Sequence, residues 1–306
     1  MSLPEQCPLC ATSRERQSVV SNHVYGSTDG MSRAFFHCDF CDIRYQYPSL
    51  TSDQEAHFYA SEFEGFMASR AGQEGGWHKA EEHIQTNEIT RQRRMKYLTN
   101  HLQSGAEILE VGCSSGFMLL PLVRSGHVCT GVEPSGIFSE FVRSRGLPVY
   151  DSLDNLQKTQ PTAKFDIVLH FFVLEHIADP LAFLQKQLTL LKPGGKIIFE
   201  IPNAADPLYS IYDIPEFERF YWSIAHHWYF SEKSTQFLLR QLGAEFQILR
   251  DQRYDLSNHM TWARDGKPGG MGRYTGALGL ELEQKYKDEL IRIGKCDTLI
   301  AIITKT

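Results

Sequence analysis

Four of the seven cysteines fall in two C-x-x-C pairs, Cys7-Pro-Leu-Cys10 and Cys38-Asp-Phe-Cys41, with residues 11–37 between them. A C-x-x-C turn aims two thiolates at one point about 2.3 Å away, and two such turns complete a tetrahedral four-cysteine zinc site with no open position. A closed site is structural. Two rivals share the spacing: a redox C-x-x-C, which wants a thioredoxin-like βαβ around it, and disulfides, which a cytosolic chain does not keep. The turn Tyr25-Gly-Ser-Thr-Asp-Gly30 and the alternating Arg33-Ala-Phe-Phe-His-Cys38 suit a small zinc ribbon held by Cys7, Cys10, Cys38 and Cys41. So few residues bury little apolar surface, so the metal is expected to supply much of the module's stability.

A second group of residues centres on Ile108-Leu-Glu-Val-Gly-Cys-Ser-Ser-Gly116. A glycine-rich turn between a strand and a helix lets the backbone approach a nucleotide closely. The dinucleotide fingerprint G-x-G-x-x-G is absent, and an acid, Glu110, precedes the turn on the strand itself. Further on, Thr130-Gly-Val-Glu133-Pro-Ser ends the next strand with a carboxylate suited to accept two ribose hydroxyls. Three histidines, His176, His226 and His227, are candidate proton acceptors, with Tyr59, Tyr221 and Tyr229 as positioning groups. The plainer reading of His176 is a capping or packing role. The pair His226-His227 lies just before a helix for which Ser231 is the expected N-cap.

The elements that must position these groups follow an α/β rhythm. Short apolar runs at 107–111, 128–132, 147–150, 165–171, 196–201, 245–249 and 298–304 alternate with helical ones. That pattern predicts a Rossmann-like, mostly parallel seven-stranded sheet with helices on both faces. The expected organisation is a zinc ribbon over 1–50, a helical linker or lid over 51–103, and a catalytic domain over 104–306. Insertions near 203–230 and 255–294 fall where loops wall a ligand site. Composition agrees with a folded enzyme: 42% apolar, 22% charged, 23 Gly and 13 Pro exclude wholesale disorder, collagen and coiled coil. No apolar stretch approaches the ~18 residues of a spanning helix, and the N-terminus lacks a signal-peptide core, so the chain is read as cytoplasmic with no membrane partner. A net charge of −6 argues against a nucleic-acid surface, and the basic run from Arg91 to Lys96 reads as a solvated helix face.

The glycine turn resembles the E/D-x-G-x-G-x-G signature of class I S-adenosyl-L-methionine-dependent methyltransferases. The resemblance continues through Lys164-Phe-Asp-Ile-Val-Leu-His170-Phe-Phe-Val-Leu-Glu-His176-Ile-Ala-Asp-Pro180 and Leu191-Lys-Pro-Gly-Gly195, covering about half the chain. It implies S-adenosyl-L-methionine as cofactor, with Glu110, Gly112, Cys113, Ser114 and Gly116 along its methionine part. It implies Glu133 and Pro134 at the ribose, Asp151 at the adenine amino group, and His170 and Phe171 at the end of the fourth strand. Ser114 stands where the family has its central glycine, and is expected to fit if its φ is negative. The competing readings are an α/β fold whose glycines serve packing alone and an NAD or nucleotide protein.

The whole layout looks like the bacterial methyltransferases with a zinc-binding N-terminal domain, which include nucleotide-linked deoxysugar C-methyltransferases. There a histidine in a Glu-His pair abstracts the proton beside a sugar ketone. His227 matches that histidine, and His226 holds the glutamate's place. Tyr59 begins the family's Y-x-x-x-Y segment, which ends here in Phe63. The resemblance implies methylation of a small molecule, a nucleotide-linked sugar or a related hydroxylated or keto metabolite. His227 is the expected base, His226 its orienting partner, Tyr59 a closing group and His176 the second candidate base. An O-methyltransferase remains open. The alternatives are a zinc-finger RNA methyltransferase, which would want a basic groove, and a non-catalytic methyltransferase-fold module docking a protein.

Overall fold

Successive residues of the central strands bury their side chains on opposite faces, and both faces are apolar. Leu109, Val168, Ile197 and Phe199 join one core layer, while Ile108, Leu169, Ile198 and Ile300 join the other. A strand buried on both faces reads as a continuous apolar run, which is why these segments stand out in the sequence. The computed structural model describes residues 3–28, 30–58, 62, 65–66 and 80–306. Tyr59, Phe63 and the glycines from Gly72 to Gly76 lie outside the described residues.

The strands are β1 (Gln17–Ser21), β2 (Ala34–Cys38), β3 (Arg44–Tyr47), β4 (Glu107–Val111), β5 (Val128–Val132), β6 (Val149–Tyr150), β7 (Phe165–Phe171), β8 (Leu191–Pro202), β9 (Trp228–Tyr229), β10 (Glu245–Asp251) and β11 (Thr298–Thr304). Seven form the main sheet in the order β10-β11-β8-β7-β4-β5-β6. Strands β4 to β8 pair in parallel, and β11 inserts antiparallel between β8 and β10. The order reverses beside β4, at the edge from which the glycine turn rises, and open α/β sheets bind ligands at such a point.

The remaining four strands form an antiparallel sheet, β1-β2-β3-β9. Its last strand comes from the 203–230 insertion: Arg44 pairs with Tyr229 and Tyr45 with Trp228. Gln46 N donates to His227 O at 2.9 Å, and Tyr25 N to Trp222 O at 2.7 Å. The cysteine-bearing sheet is thus continuous with the segment that carries the histidine pair. Ser231 caps the helix Glu232–Arg240, its hydroxyl accepting from Ser234 N at 3.2 Å.

The basic run departs from its expected role as a solvated face. Arg94 is buried, with Nε donating to Glu200 at 2.7 Å, and Arg93 pairs with both Glu200 and Asp251. Glu200 sits on β8 inside the fold, so two guanidinium groups turn inward to neutralise it. Among the described residues, no helix is long and apolar enough to cross a membrane.

Candidate active site

Strand β4 delivers Glu110 and ends in a turn with three left-handed residues, Gly112 (φ 74°), Ser114 (φ 48°) and Gly116 (φ 73°). A Cβ on Gly112 would meet Val173 Cγ2 at 2.7 Å, so glycine is required both by φ and by space. Ser114 corrects the sequence expectation, because its φ is positive. The turn pays for that conformation with a hydrogen bond: Ser114 N donates to Glu133 at 2.7 Å, and Ser135 N reaches the other oxygen at 2.9 Å. Glu133 therefore ties the turns after β4 and β5 together and still has lone pairs for hydroxyl donors. Burial raises its carboxyl while these backbone donors oppose the shift.

Glu110 is 2% exposed and lines the same cavity, yet its Oε2 has no hydrogen-bond partner among the described residues. Burial pushes it up to about 8, with Arg94 lowering it and Glu133 raising it. A buried carboxylate left facing a cavity is a seat for a cationic ligand group. Pro134 and Phe171 also line the cavity, and Phe171 carries the Arg94 guanidinium 4.1 Å above its ring. Asp151 lies exposed on the rim, where Asn155 Nδ2 donates at 2.8 Å and holds its carboxyl below the ordinary range.

Two expected cofactor residues sit elsewhere. His170 is fully buried, stacked on Phe199 with ring centroids 4.7 Å apart, and lines no part of the cavity. Burial alone pushes it down to about 3, so it is a neutral core histidine. On a central strand buried on both faces, its neighbour Phe171 takes the cavity side. The Cys113 side chain tucks under β5, in the space that the glycine at 131 leaves open; only its backbone belongs to the turn.

The acceptor end is built by the short turn Leu174–His176 after β7 and by the segment before β9. His176 Nδ1 donates to Ala225 O at 2.7 Å, and its ring meets that of His226 edge-on with centroids 4.7 Å apart. Both line the cavity, and so does Glu175, which is 1% exposed and pushed up to about 8 by burial. His227 does not line it: its Nε2 faces Glu55 at 3.7 Å, and its backbone N donates to Glu175 O at 2.9 Å. Of the two adjacent histidines, only His226 lines the cavity. The Tyr229 hydroxyl is spent on backbone, donating to Tyr221 O and accepting from Ser223 N at 3.0 Å. Tyr221 reaches Asn203 O at 3.2 Å and forms an aromatic wall with Phe217, Phe220 and Trp262. Tyr59 lies outside the described residues.

Sequence reasoning missed Arg253 and Asp206. Arg253 packs 4.3 Å over the Phe172 ring, and Asp206, raised to about 8 by burial and by Asp297, faces the cavity. No local motif surrounds either one. The cavity measures about 1280 Å³, more than the ~300–1,000 Å³ usual for one ligand, and it runs unbroken from Glu133 to His226.

The cysteines meet as expected. Cys7, Cys10, Cys38 and Cys41 have all four Sγ atoms within 4.8 Å of one another, with Cys7 to Cys41 at 3.7 Å and Cys10 to Cys38 at 3.6 Å. A tetrahedron with metal–sulfur bonds of about 2.3 Å has edges of about 3.8 Å, so the donor set fits zinc.

Residues 77–247 match the family model described as a methyltransferase domain. A ubiquinone biosynthesis O-methyltransferase from Bradyrhizobium sp. is 33% identical over 104 residues, 33% of this chain and 41% of the relative. One from Xanthomonas euvesicatoria is 26% identical over 171 residues, 53% of this chain and 70% of the relative. The chain spans half the length of a third, from Coxiella burnetii. Among solved structures, a SAM-dependent methyltransferase from Archaeoglobus fulgidus superposes with a TM-score of 0.50 at 16% identity, over 80% of this chain and 100% of that one. The plantazolicin methyltransferase BpumL, solved with SAH, gives 0.51 at 15%, over 82% and 94%. The fold is that of class I methyltransferases, and the chain belongs to the methyltransferase domain family.

Proposed function

We propose that the protein is an S-adenosyl-L-methionine-dependent methyltransferase that methylates a hydroxyl oxygen on a small ring-shaped acceptor. The observation that carries this is the single cavity with two chemically distinct ends: the carboxylates Glu110 and Glu133 around a glycine turn at one, and His176, His226 and Glu175 beside an aromatic wall at the other. When bound, S-adenosyl-L-methionine supplies a methyl group already activated by its sulfonium sulfur. Glu110 accepts from the methionine ammonium, Glu133 from the ribose hydroxyls and Asp151 from the adenine amino group. The partnerless oxygen of Glu110 and the glycine cradle fit that ligand. His176 and His226 hold the acceptor and promote loss of its proton, which is all that an in-line displacement asks of the protein besides alignment.

Oxygen as acceptor is supported by the curated relatives, which are named O-methyltransferases. Phe217, Phe220, Tyr221 and Trp262 suit a flat or pyranose ring, so a phenol and a sugar are both hydroxylated rings of the right class. Ketosugar C-methylation with His227 as base loses support, because that residue does not line the cavity. An RNA acceptor loses the basic run, two of whose arginines are committed to Glu200. A non-catalytic module has no need of Glu110, Glu133 and the glycine turn on one cavity.

The test is transfer from methyl-labelled S-adenosyl-L-methionine to a panel of phenols, nucleotide-linked sugars and RNA, read by mass. Label on a small hydroxylated ring is expected. Label on RNA alone, or none in a preparation that binds the cofactor, contradicts the proposal.

A further inference from the structure

Glu175, His176 and His226 bring one carboxylate oxygen and two imidazole nitrogens within 4.8 Å of one another. Glu175 is 1% exposed, and its Oε2 has no hydrogen-bond partner among the described residues. Among the described residues no lysine or arginine forms an ion pair with it; Arg253 and Arg94 act on it only from farther off, opposing the rise that burial causes. A buried carboxylate with one oxygen unpaired costs several kcal/mol by the usual order of magnitude, unless a cation or a proton belongs beside it.

The neighbours are arranged for a cation. His176 Nδ1 gives its proton to Ala225 O at 2.7 Å, which leaves Nε2 with the lone pair and fixes the ring, as backbone carbonyls do for metal-bound histidines. The two segments are locked to each other by His227 N to Glu175 O at 2.9 Å, and the turn carrying His226 is closed by His226 N to Ser223 O at 3.1 Å. The three residues are thus set by backbone geometry and line the same cavity as the aromatic wall.

We propose that Glu175, His176 and His226 bind a divalent first-row transition ion, with its open positions directed at the acceptor hydroxyl. Two imidazoles and one carboxylate suit such an ion better than magnesium or calcium, which prefer all-oxygen shells. The site deepens the methyltransferase reading and rests on it. An acceptor hydroxyl coordinated there becomes more acidic; its O–H proton leaves to bulk water and the oxygen keeps the electron pair that attacks the methyl carbon. The rival arrangement is a protonated Glu175 with no ion.

The experiment uses the full chain with the ribbon cysteines zinc-loaded and titrates it with Co2+ alone. The readouts are the d–d bands of a nitrogen–oxygen site, distinct from thiolate charge-transfer bands, and cobalt per chain. One Co2+ per chain beyond the ribbon ion is expected, lost in His226→Ala and weakened more than about tenfold in Glu175→Gln. Both variants are expected to keep cofactor affinity by calorimetry. No cobalt uptake by the wild type, or equal uptake by His226→Ala, overturns the site. Absence of cofactor binding by the wild type overturns the methyltransferase reading instead, so the two failures are separable.

Discussion

His226 and His227 are neighbours in sequence and opposites in space, and that difference sets the first prediction. Removing a group that promotes loss of the acceptor proton costs about 10² to 10⁴ in turnover, so His226→Ala should collapse kcat while His227→Ala leaves most of it. Equal losses, or the reverse order, would return the role to His227. The geometry of the expected cofactor end was legible from local strand–turn–helix chemistry: Glu110, Gly112 and Glu133 line one cavity, and Gly116 keeps the left-handed φ of the turn. The histidine assignment was not legible, because the backbone at His227 is fixed by bonds to residues distant in sequence, its N to Glu175 O and its O from Gln46 N. His170 failed because β7 is buried on both faces and its ring takes the core side against Phe199. Ser114 tolerates a left-handed φ only because Glu133, far along the chain, accepts from its N–H. A second residue-scale prediction follows from Gly112. A Cβ there adds a 2.7 Å clash with Val173 to an unfavourable φ, and φ alone costs about 1–2 kcal/mol. Thermal melts of Gly112→Ala should show a lower Tm and no cofactor-induced rise; an unchanged rise would mean the turn does not cradle the ligand.

Strand β9 is two residues long, yet it joins the cysteine sheet to the acceptor wall. Its pairing with β3 spans residues so distant in sequence, and is so short, that no alternation in the chain announces it. The seven strands of the main sheet were legible because each lies in a short apolar run that alternates with a helical one. The consequence of the shared strand is mechanical. If zinc holds Cys7, Cys10, Cys38 and Cys41, stripping it should loosen β2 and β3 and, through Gln46 N to His227 O, the backbone that carries His226. Hydrogen exchange after chelation, or in Cys38→Ser, should quicken at 226–229 while exchange in β4 and β5 stays slow. Unchanged exchange at 226–229 would make the ribbon an independent appendage.

Across the molecule, buried carboxylates and buried histidines pull stability in opposite directions with pH. Burial raises Glu110 and Asp206 to about 8, above the ordinary 4.5 and 3.8. The folded state then holds protons that the unfolded state has lost, and stability falls as pH rises toward 8. His83 and His259 are lowered to about 4 and His170 to about 3, from 6.5. The unfolded chain therefore takes up protons below 6.5 that the folded one refuses, and stability falls as pH drops through that value. Glu175 is raised to about 8 as well, so three carboxyls offset three histidines below 6.5; the ligand-free Tm should change little from about pH 5 to 6.5 and decline from 6.5 to 8, and a Tm still climbing from 6.5 to 8 would contradict the burial of these carboxyls. The central claim, that Glu110, the glycine turn and Glu133 form the seat of S-adenosyl-L-methionine, is tested most directly by calorimetric titration of the full chain with that cofactor, beside Glu133→Ala. Charged hydrogen bonds of about 1.5–3 kcal/mol predict saturable one-to-one binding that the variant weakens by about 10- to 150-fold; no binding by the wild type, or equal affinity in the variant, would contradict the account.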